Sequence, residues 1–254
     1  MPHRTTLPLA ALLLGLAAGH ARAANPNVLW EIAHDRCVPD AKLNNDPKPC
    51  AAVDLREGEA RGHVLLKDIV GATQFLLIPT SRVGGIESPA VLAPDAPNYF
   101  AAAWAARGEV DAAAHRKLPR QDIGLAINSA YGRTQNEFHI HIDCLRPEVI
   151  EALRSRDAGI TEQWARLPVK LAGHDYMVRR LGGAALGTAN PFRLLADGLP
   201  AAAADMADET LVVAGAVFAD GTPGFYLLAG RADLAAGNRG SGEELQDHSC
   251  AVAR

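Results

Sequence analysis

The sequence lacks the features that mark several protein classes. It has no run rich in Lys and Arg and a formal net charge of −4, so a broad basic surface for nucleic acid is not expected. Its four cysteines include no C-x-x-C pair, so zinc held by such a thiolate pair is not indicated. The N-terminal apolar run Leu7–Ala18 is shorter than the roughly 20 residues that a membrane-spanning helix needs.

The N-terminus has the three parts of an export signal. Arg4 supplies a positive charge, the apolar run follows, and Ala21-Arg22-Ala23 is a small-x-small cleavage site. We expect residues 1–23 to be a signal peptide that is either cleaved after Ala23 or retained as an anchor. This interpretation predicts a periplasmic protein, at or anchored to the inner membrane.

The four cysteines of an exported chain favour disulfides, because thiols outside the cytoplasm tend to pair. Cys37 and Cys50 bracket a loop rich in Pro and Asn, whereas Cys144 and Cys250 lie farther along the chain. Local pairing predicts the bonds Cys37–Cys50 and Cys144–Cys250, which is one of the three connectivities that four cysteines allow.

The stretch from Gln135 to Cys144 is the most informative one in the chain. Its residues alternate between apolar and polar types, which predicts a β-strand with one face toward a core. The polar face carries His139 and His141, and the strand spacing puts them about 6.6 Å apart at the backbone. The polar residues of this face are Glu137, His139, His141 and Asp143.

Other patterns predict the elements around this strand. We expect a helix from Asn27 to Cys37, a loop from Val38 to Ala52, a helix capped by Asn98 that runs to about Ala114, and a helix beginning at Pro147. Glu243–Gln246 is expected to form one helical turn. The predicted strands are Gly62–Lys67, Gln74–Pro79, Gly124–Ser129, Leu211–Phe218 and Phe225–Leu228.

A series of short motifs extends over nearly the whole chain after the signal. They include Leu-Lys-Asp, Gln-Phe-Leu-Leu-Ile-Pro-Thr, Leu-Ala-Ile-Asn-Ser, Gly-Arg-Thr-Gln-Asn, Phe-His-Ile-His-Ile, Gly-His-Asp-Tyr and Gln-Asp-His-Ser-Cys. In this order the motifs resemble the bacterial CDP-diacylglycerol pyrophosphatases, a family within the histidine-triad (HIT-like) superfamily.

The resemblance implies an α+β fold. Its core would be a HIT-like antiparallel sheet with helices packed on one face, followed by a C-terminal α/β extension with a β-hairpin. Residues 24–165 would form the catalytic region, and residues 166–254 would form the extension, packed on it as one compact unit.

The resemblance also implies a reaction. The family hydrolyses CDP-diacylglycerol, a lipid of the membrane surface, to CMP and phosphatidate. In the superfamily a histidine attacks the α-phosphorus, and water then releases the nucleotide from the nucleotidyl-histidine. No cofactor is expected for this reaction.

Two registers are open for the attacking residue, because the superfamily pattern has three alternating histidines and this chain has two. If the three positions are Glu137, His139 and His141, the middle residue His139 attacks. If they are His139, His141 and Asp143, His141 attacks. Gln135 stands four residues before His139, as a glutamine does in the superfamily, and therefore favours His141 as nucleophile with His139 as its partner. Glu137 and Asp143 are the candidate carboxylates that orient the imidazoles.

Polar residues around the histidine strand are the candidate substrate ligands. Neutral side chains of this kind can hold a phosphoryl oxygen while charge shifts in the transition state. Asp68 matches a superfamily position that binds ribose hydroxyls, and Lys67 is a candidate to neutralise the pyrophosphate. The neutral candidates are Asn128, Thr134, Gln135 and Asn136.

Other functions fit the same two histidines. A His-x-His strand is also typical of metal sites, with a third ligand among Asp143, His63, His174 or His248. A nucleotidyl (CMP) transferase, in which an acceptor replaces water, would use the same nucleophile. A non-catalytic nucleotide- or lipid-binding protein would bind CMP without turnover.

Overall fold

A nine-stranded antiparallel sheet organises the protein, which a computed structural model describes from residue 25 to residue 253. The order of its strands is β1-β2-β3-β5-β4-β8-β9-β7-β6. The predicted signal peptide, residues 1–23, lies outside the described residues. The strands are β1 (Ala52–Asp54), β2 (His63–Lys67), β3 (Phe75–Pro79), β4 (Ile123–Ile127), β5 (Ile140–Cys144), β6 (Ala165–Arg166), β7 (Met177–Gly182), β8 (Glu209–Val217) and β9 (Pro223–Arg231).

Short helices pack against this sheet, which confirms the α+β prediction, but they lie on both faces rather than on one as expected. One face carries α3 (Tyr99–Ala105), α4 (Gly108–Ala113), α6 (Pro191–Gly198) and α7 (Pro200–Ala204), whose apolar side chains join one core with the sheet. The other face carries α1 (Val28–Ile32), a π-helical turn (Ala33–Cys37), α2 (Val38–Asn44) and α5 (Pro147–Arg154).

The apolar packing on this second face is divided into two clusters. The first cluster holds α1 and α2 over β2 and β3, through residues such as Leu66 and Leu76. The second holds α5 over β4, β8 and β9, through residues such as Ala126 and Val212. In the strand registers Leu76 pairs with His141, His141 with Ala126, and Ala126 with Val212. His141 therefore lies on the sheet surface between the two clusters.

The predicted strands are present, with ends that differ by one to a few residues. The main correction concerns the histidine strand, because β5 spans only Ile140–Cys144 and residues 135–139 form the approach to it. Asn136 N donates to Pro26 O and Phe138 N donates to Val83 O, so this approach is held by loops rather than by a neighbouring strand.

The helix predictions needed two corrections. The N-terminal helical segment continues past Cys37 into α2, where a loop was expected. Pro39 does not prevent this, because it stands in the first turn of α2, where the missing backbone N–H of a proline is tolerated. The helix capped by Asn98 is interrupted between Ala105 and Gly108. Asn98 does cap it, accepting a hydrogen bond from Ala101 N.

Two disulfides join the predicted partners. Cys37–Cys50 ties the π-helical turn to the segment before β1, and Cys144–Cys250 ties the end of β5 to the C-terminal segment. Between residues 25 and 253, no helix is both long and apolar enough to span a bilayer.

Candidate active site

The two histidines of the His-x-His motif lie side by side on the sheet. Their ring centroids are 4.8 Å apart and the rings meet edge to face. His139 is 7% exposed and His141 is 4% exposed. Burial lowers the pKa of both imidazoles, and the Glu137 carbonyl and the neighbouring carboxylate of Glu243 only partly oppose this for His139. Both rings are therefore neutral near pH 7, as a nitrogen nucleophile must be.

A backbone carbonyl orients His139. Its Nδ1 lies 2.7 Å from Glu137 O, so Nδ1–H donates to that oxygen and the lone pair of the neutral ring is on Nε2. The Glu137 carboxylate was expected to orient an imidazole, but it contacts neither histidine. That side chain accepts from Val83 N and faces Arg82 at 3.4 Å, because the chain leaves the strand before residue 140.

An amide group contacts His141 instead. Gln74 Nε2 lies 2.6 Å from Nδ1 of His141 and 3.1 Å from Oδ2 of Asp68. An ionised Asp68 can only accept hydrogen bonds, so the side-chain amide of Gln74 is oriented with its nitrogen toward Asp68 and His141. His141 then accepts at Nδ1, and its neutral ring carries the proton on Nε2. The two adjacent imidazoles therefore present opposite capacities, an acceptor on His139 and a donor on His141.

One carboxylate lies in front of His141. Glu243, from the 3₁₀ turn Gly242–Leu245, is 3.4 Å from His141 Nε2, 3.2 Å from the amide nitrogens of Gln74 and Asn128, and 3.3 Å from His248 Nε2. Burial alone would raise the pKa of Glu243, but the hydrogen bonds from His248 and from the amides of Asn128 and Gln74 help to outweigh burial and lower the pKa. Glu243 is therefore an anion held by four nitrogens.

His248 completes this group from the C-terminal segment. Its Nδ1 lies 2.8 Å from Oδ2 of Asp143, whose other oxygen accepts from Thr73 Oγ1 at 2.6 Å. The hydrogen bonds to Asp143 and Glu243 raise the pKa of His248 to about 9. His248 is therefore a cation at neutral pH. Asp143 was expected to orient His139 or His141, and it orients His248 instead.

Of the predicted substrate ligands, only Asn128 and Asp68 lie in or next to the site. Asn128 lies in the site and contacts Glu243, and Asp68 reaches it through Gln74. Lys67 caps the loop that follows it, donating to the carbonyls of Asp68 and Gly71. The others lie on the approach to β5: Gln135 contacts Asn25 O and Leu29 N, while Thr134 and Asn136 are exposed.

A narrow crevice, too tight to admit a water molecule as it stands, lies beside His139. Asn128, Gly85 and Arg133 line it. Arg133 is held by two hydrogen bonds to the Glu87 carboxylate, of 2.6 and 2.5 Å. The crevice therefore has a fixed cation at its edge, whereas the space in front of His141 is filled by Glu243.

The described residues form no arrangement of side chains that could hold a metal ion. In the range 25–253, no group of three or more His, Cys, Asp or Glu is arranged to hold a metal ion. Of the suggested third ligands, His174 instead pairs with Glu244 at 2.8 Å, and His63 on β2 lies on the opposite face of the sheet, on the side of Leu65 and Tyr99.

Three residues of this site were not predicted. Gln74 stands inside one of the motifs without an assigned role, His248 was considered only as a possible metal ligand, and Glu243 only as part of a helical turn. For His248 a signal was present: it stands two residues before Cys250, the predicted partner of Cys144, which directly follows Asp143. The predicted disulfide therefore already implied that His248 lies near Asp143.

Comparison with known proteins gives the same family as the motifs. Residues 24–254 match the family model described as CDP-diacylglycerol pyrophosphatase. The chain is also 44% identical over 244 residues to a Yersinia pestis protein named CDP-diacylglycerol pyrophosphatase, with 95% of this chain and 92% of that protein covered. With the two-histidine strand and its polar surroundings, these matches establish that the chain belongs to the CDP-diacylglycerol pyrophosphatase family.

Proposed function

We propose that this protein hydrolyses CDP-diacylglycerol to CMP and phosphatidate through a nucleotidyl-histidine. Family membership supports the substrate and the products. The observation that carries the mechanism is the pair of neutral imidazoles, one with a free Nε2 lone pair and one with an Nε2 proton. Splitting the hydrolysis into two displacements needs such a nucleophile and such a donor side by side.

His139 is the nucleophile in this proposal, although the position of Gln135 favoured His141. The support is the hydrogen bond from Nδ1–H of His139 to Glu137 O, which leaves the lone pair on Nε2. His141 has its Nδ1 engaged by Gln74 and keeps its proton on Nε2. It therefore serves as the donor.

In the first step the Nε2 lone pair of His139 forms a bond to the α-phosphorus. The bond between that phosphorus and the bridging oxygen breaks, and its electron pair leaves with phosphatidate. His141 Nε2–H and the Asn128 amide donate to the oxygens on which charge develops. Donors fixed in a buried site stabilise such charge without having to reorganise.

In the second step water attacks the α-phosphorus of the adduct. The P–N bond breaks, its electron pair returns to Nε2 of His139, and the proton of the water passes to a site base before it reaches solvent. CMP is released and the neutral imidazole is restored.

Substrate binding requires that Glu243 give up its contacts in this proposal. Its carboxylate occupies the donors that phosphoryl oxygens would use, namely Asn128, His141 and His248, and it also lies next to the Gln74 amide. Glu243 lies on a short 3₁₀ turn rather than on a strand, so displacing it does not break the sheet.

We also propose that the enzyme works at the periplasmic side of the inner membrane. The acyl chains of the substrate are held in a bilayer, and two disulfides fit an oxidising compartment. The loop between β2 and β3 exposes Ile69 by 99% and Val70 by 51%, next to Asp68 and the site. Fractionation of cells that produce the full chain tests the location, and recovery in the soluble cytoplasmic fraction would contradict it.

The decisive experiment for the mechanism is the intact mass of purified protein after rapid quenching with CDP-diacylglycerol. We expect an added CMP group that maps to His139, no adduct and no CMP release in His139→Ala, and an adduct that forms slowly in His141→Gln. An adduct on His141 would support the other register. CMP release without any adduct would contradict the covalent mechanism.

A further inference from the structure

The strand of this site lacks the third alternating histidine, and Asp143 occupies the position where it would lie. The imidazole of His248 is held directly on that aspartate, with Nδ1 2.8 Å from Oδ2. Its Nε2 points back to the Glu243 carboxylate at 3.3 Å, and this carboxylate also contacts His141. Two imidazoles, one from the strand and one from the C-terminal segment, therefore contact one anion, and the His139 ring lies beside that of His141.

The local structure holds His248 firmly in this position. Asp143 is fully buried and is fixed by Thr73 Oγ1 and by Cys144 N. The backbone carbonyl of His248 accepts from Ala72 N, and Asp247 N donates to Cys144 O. Gly71 packs so closely on His248 that a Cβ there would lie 2.6 Å from the histidine Cβ.

The disulfide Cys144–Cys250 clamps the two segments that carry this pair. Cys144 directly follows Asp143, and Cys250 comes two residues after His248. The bond joins positions 106 residues apart, so without it the last few residues depend on hydrogen bonds and on the packing of Val252 and Ala253 against the core. The other disulfide, Cys37–Cys50, lies among α1 and α2 and contacts none of these groups.

We propose that His248 is the third imidazole of the site and its resident cation, which binds the phosphate of the substrate when that phosphate replaces Glu243. Asp143 and the disulfide Cys144–Cys250 are its positioning elements. This inference rests on the proposed function for the identity of the ligand. It assigns a residue that the motif on the strand does not contain.

The charged groups around His248 stabilise its protonated form at neutral pH. Asp143 faces it from β5, Glu243 from the 3₁₀ turn, and His141 from the sheet, while Asp68 lies beyond Gln74 on the β2–β3 loop. The two nearby carboxylates raise the pKa of His248 to about 9. The charge is present below that pH and is lost as the pH rises through about 9.

The test is binding of CMP, a product that is not turned over, measured by calorimetry from pH 7.5 to pH 10.5. The phosphate of CMP is a dianion throughout this range, because its second pKa is about 6. We expect wild-type affinity to fall as the pH rises through about 9. His248→Gln should bind about thirtyfold more weakly at pH 7.5 and show no such fall, since a charge-assisted hydrogen bond is removed.

Two further comparisons separate a direct role from a structural one. Asp143→Asn should keep the fold but move the midpoint of the affinity loss to lower pH, whereas a purely structural role would leave the midpoint unchanged. Cys144→Ser/Cys250→Ser should weaken CMP binding, whereas Cys37→Ser/Cys50→Ser should not. His174→Gln, which removes a histidine paired with Glu244, is the matched single-residue control and should bind as wild type.

Wild-type CMP affinity in folded His248→Gln would overturn this inference. The rapid-quench experiment decides the proposed function separately. If no adduct forms but His248→Gln loses CMP binding, the covalent mechanism fails and the assignment of His248 stands. If the adduct forms and His248→Gln binds CMP normally, only the assignment of His248 fails.

Discussion

Single contacts, rather than residue types, decide what each side chain of the site does. Glu137 and Asp143 both flank the histidines in sequence, yet one stabilises a loop through Val83 N and the other holds His248. The sequence predicts the two histidines and Asn128 as site residues, because they lie on or beside a regular strand. It does not predict Glu243, because the position of a side chain on a 3₁₀ turn depends on contacts across more than 100 residues.

Glu243 competes with substrate phosphate for the same donors, and its removal should tighten nucleotide binding. In Glu243→Gln we expect CMP to bind about tenfold more tightly at pH 7, which corresponds to about 1.4 kcal/mol for the loss of one competing charge. Calorimetric titration measures this change. Glu244→Gln is the control, since Glu244 contacts His174 and Tyr176 instead. Weaker CMP binding in Glu243→Gln would identify Glu243 as a positioning residue rather than a competitor.

Glu137 makes stability depend on pH in a direction that is unusual for a glutamate. Burial raises its pKa to about 7, against the opposing effects of Val83 N–H and Arg82. Because the folded pKa lies above the unfolded value, the stabilisation is present at low pH and is lost as the pH rises from about 4.5 to about 7.

Replacement of Glu137 by Gln should remove that dependence. Relative to wild type, Glu137→Gln should gain about 2 kcal/mol in the free energy of unfolding between pH 5 and pH 8, measured by urea denaturation at both values. Glu148→Gln, an exposed side chain on α5, should differ from wild type equally at the two pH values. If Glu137→Gln also differed from wild type by the same amount at both pH values, the Glu137 carboxyl would not be desolvated in the folded protein.

Elements were predicted best where their pattern is local. The strands β2, β3 and β4 follow from short apolar runs, and the helix α5 follows from Pro147 at its start. The strand β7 was missed because Arg179 and Arg180 interrupt its apolar pattern, and tertiary packing explains both: Arg179 lies over Trp164 and Arg180 over Phe218. β1 and β6 are two or three residues long and owe their conformation to the strand beside them.

The loop between β2 and β3 is the element through which we expect contact with lipid. Ile69→Ser/Val70→Ser should lower the rate about tenfold on CDP-diacylglycerol in vesicles, since two aliphatic side chains no longer enter the bilayer. On a short-chain, monomeric substrate the rate should stay within about twofold. Equal loss on both substrates would mean that the loop contacts the substrate itself. Leu43→Ser removes an aliphatic side chain of α2 that is 82% exposed and serves as the control.

At the scale of the whole molecule, one sheet joins the predicted catalytic region (residues 24–165) to the predicted extension (residues 166–254). β4 pairs with β8 from Gly124–Ala214 to Ile127–Leu211, so the predicted catalytic region and extension share backbone hydrogen bonds and one core. We therefore expect cooperative unfolding. In native-state hydrogen exchange, amides of β3 and β8 should have the same free energy of opening. Earlier exchange of β8 and β9 at low denaturant would contradict a single cooperative unit.

The division of the second sheet face into two apolar clusters has a consequence for how the site can vary. The helices α1 and α2 lie over the sheet on one side of His141 and α5 lies over it on the other, and no residue belongs to both clusters. A substitution in the second cluster, such as Val149→Ala on α5, should therefore leave the packing of α1 and α2 unchanged. The two helical layers can vary in sequence independently, while His141 keeps its place on the sheet between them.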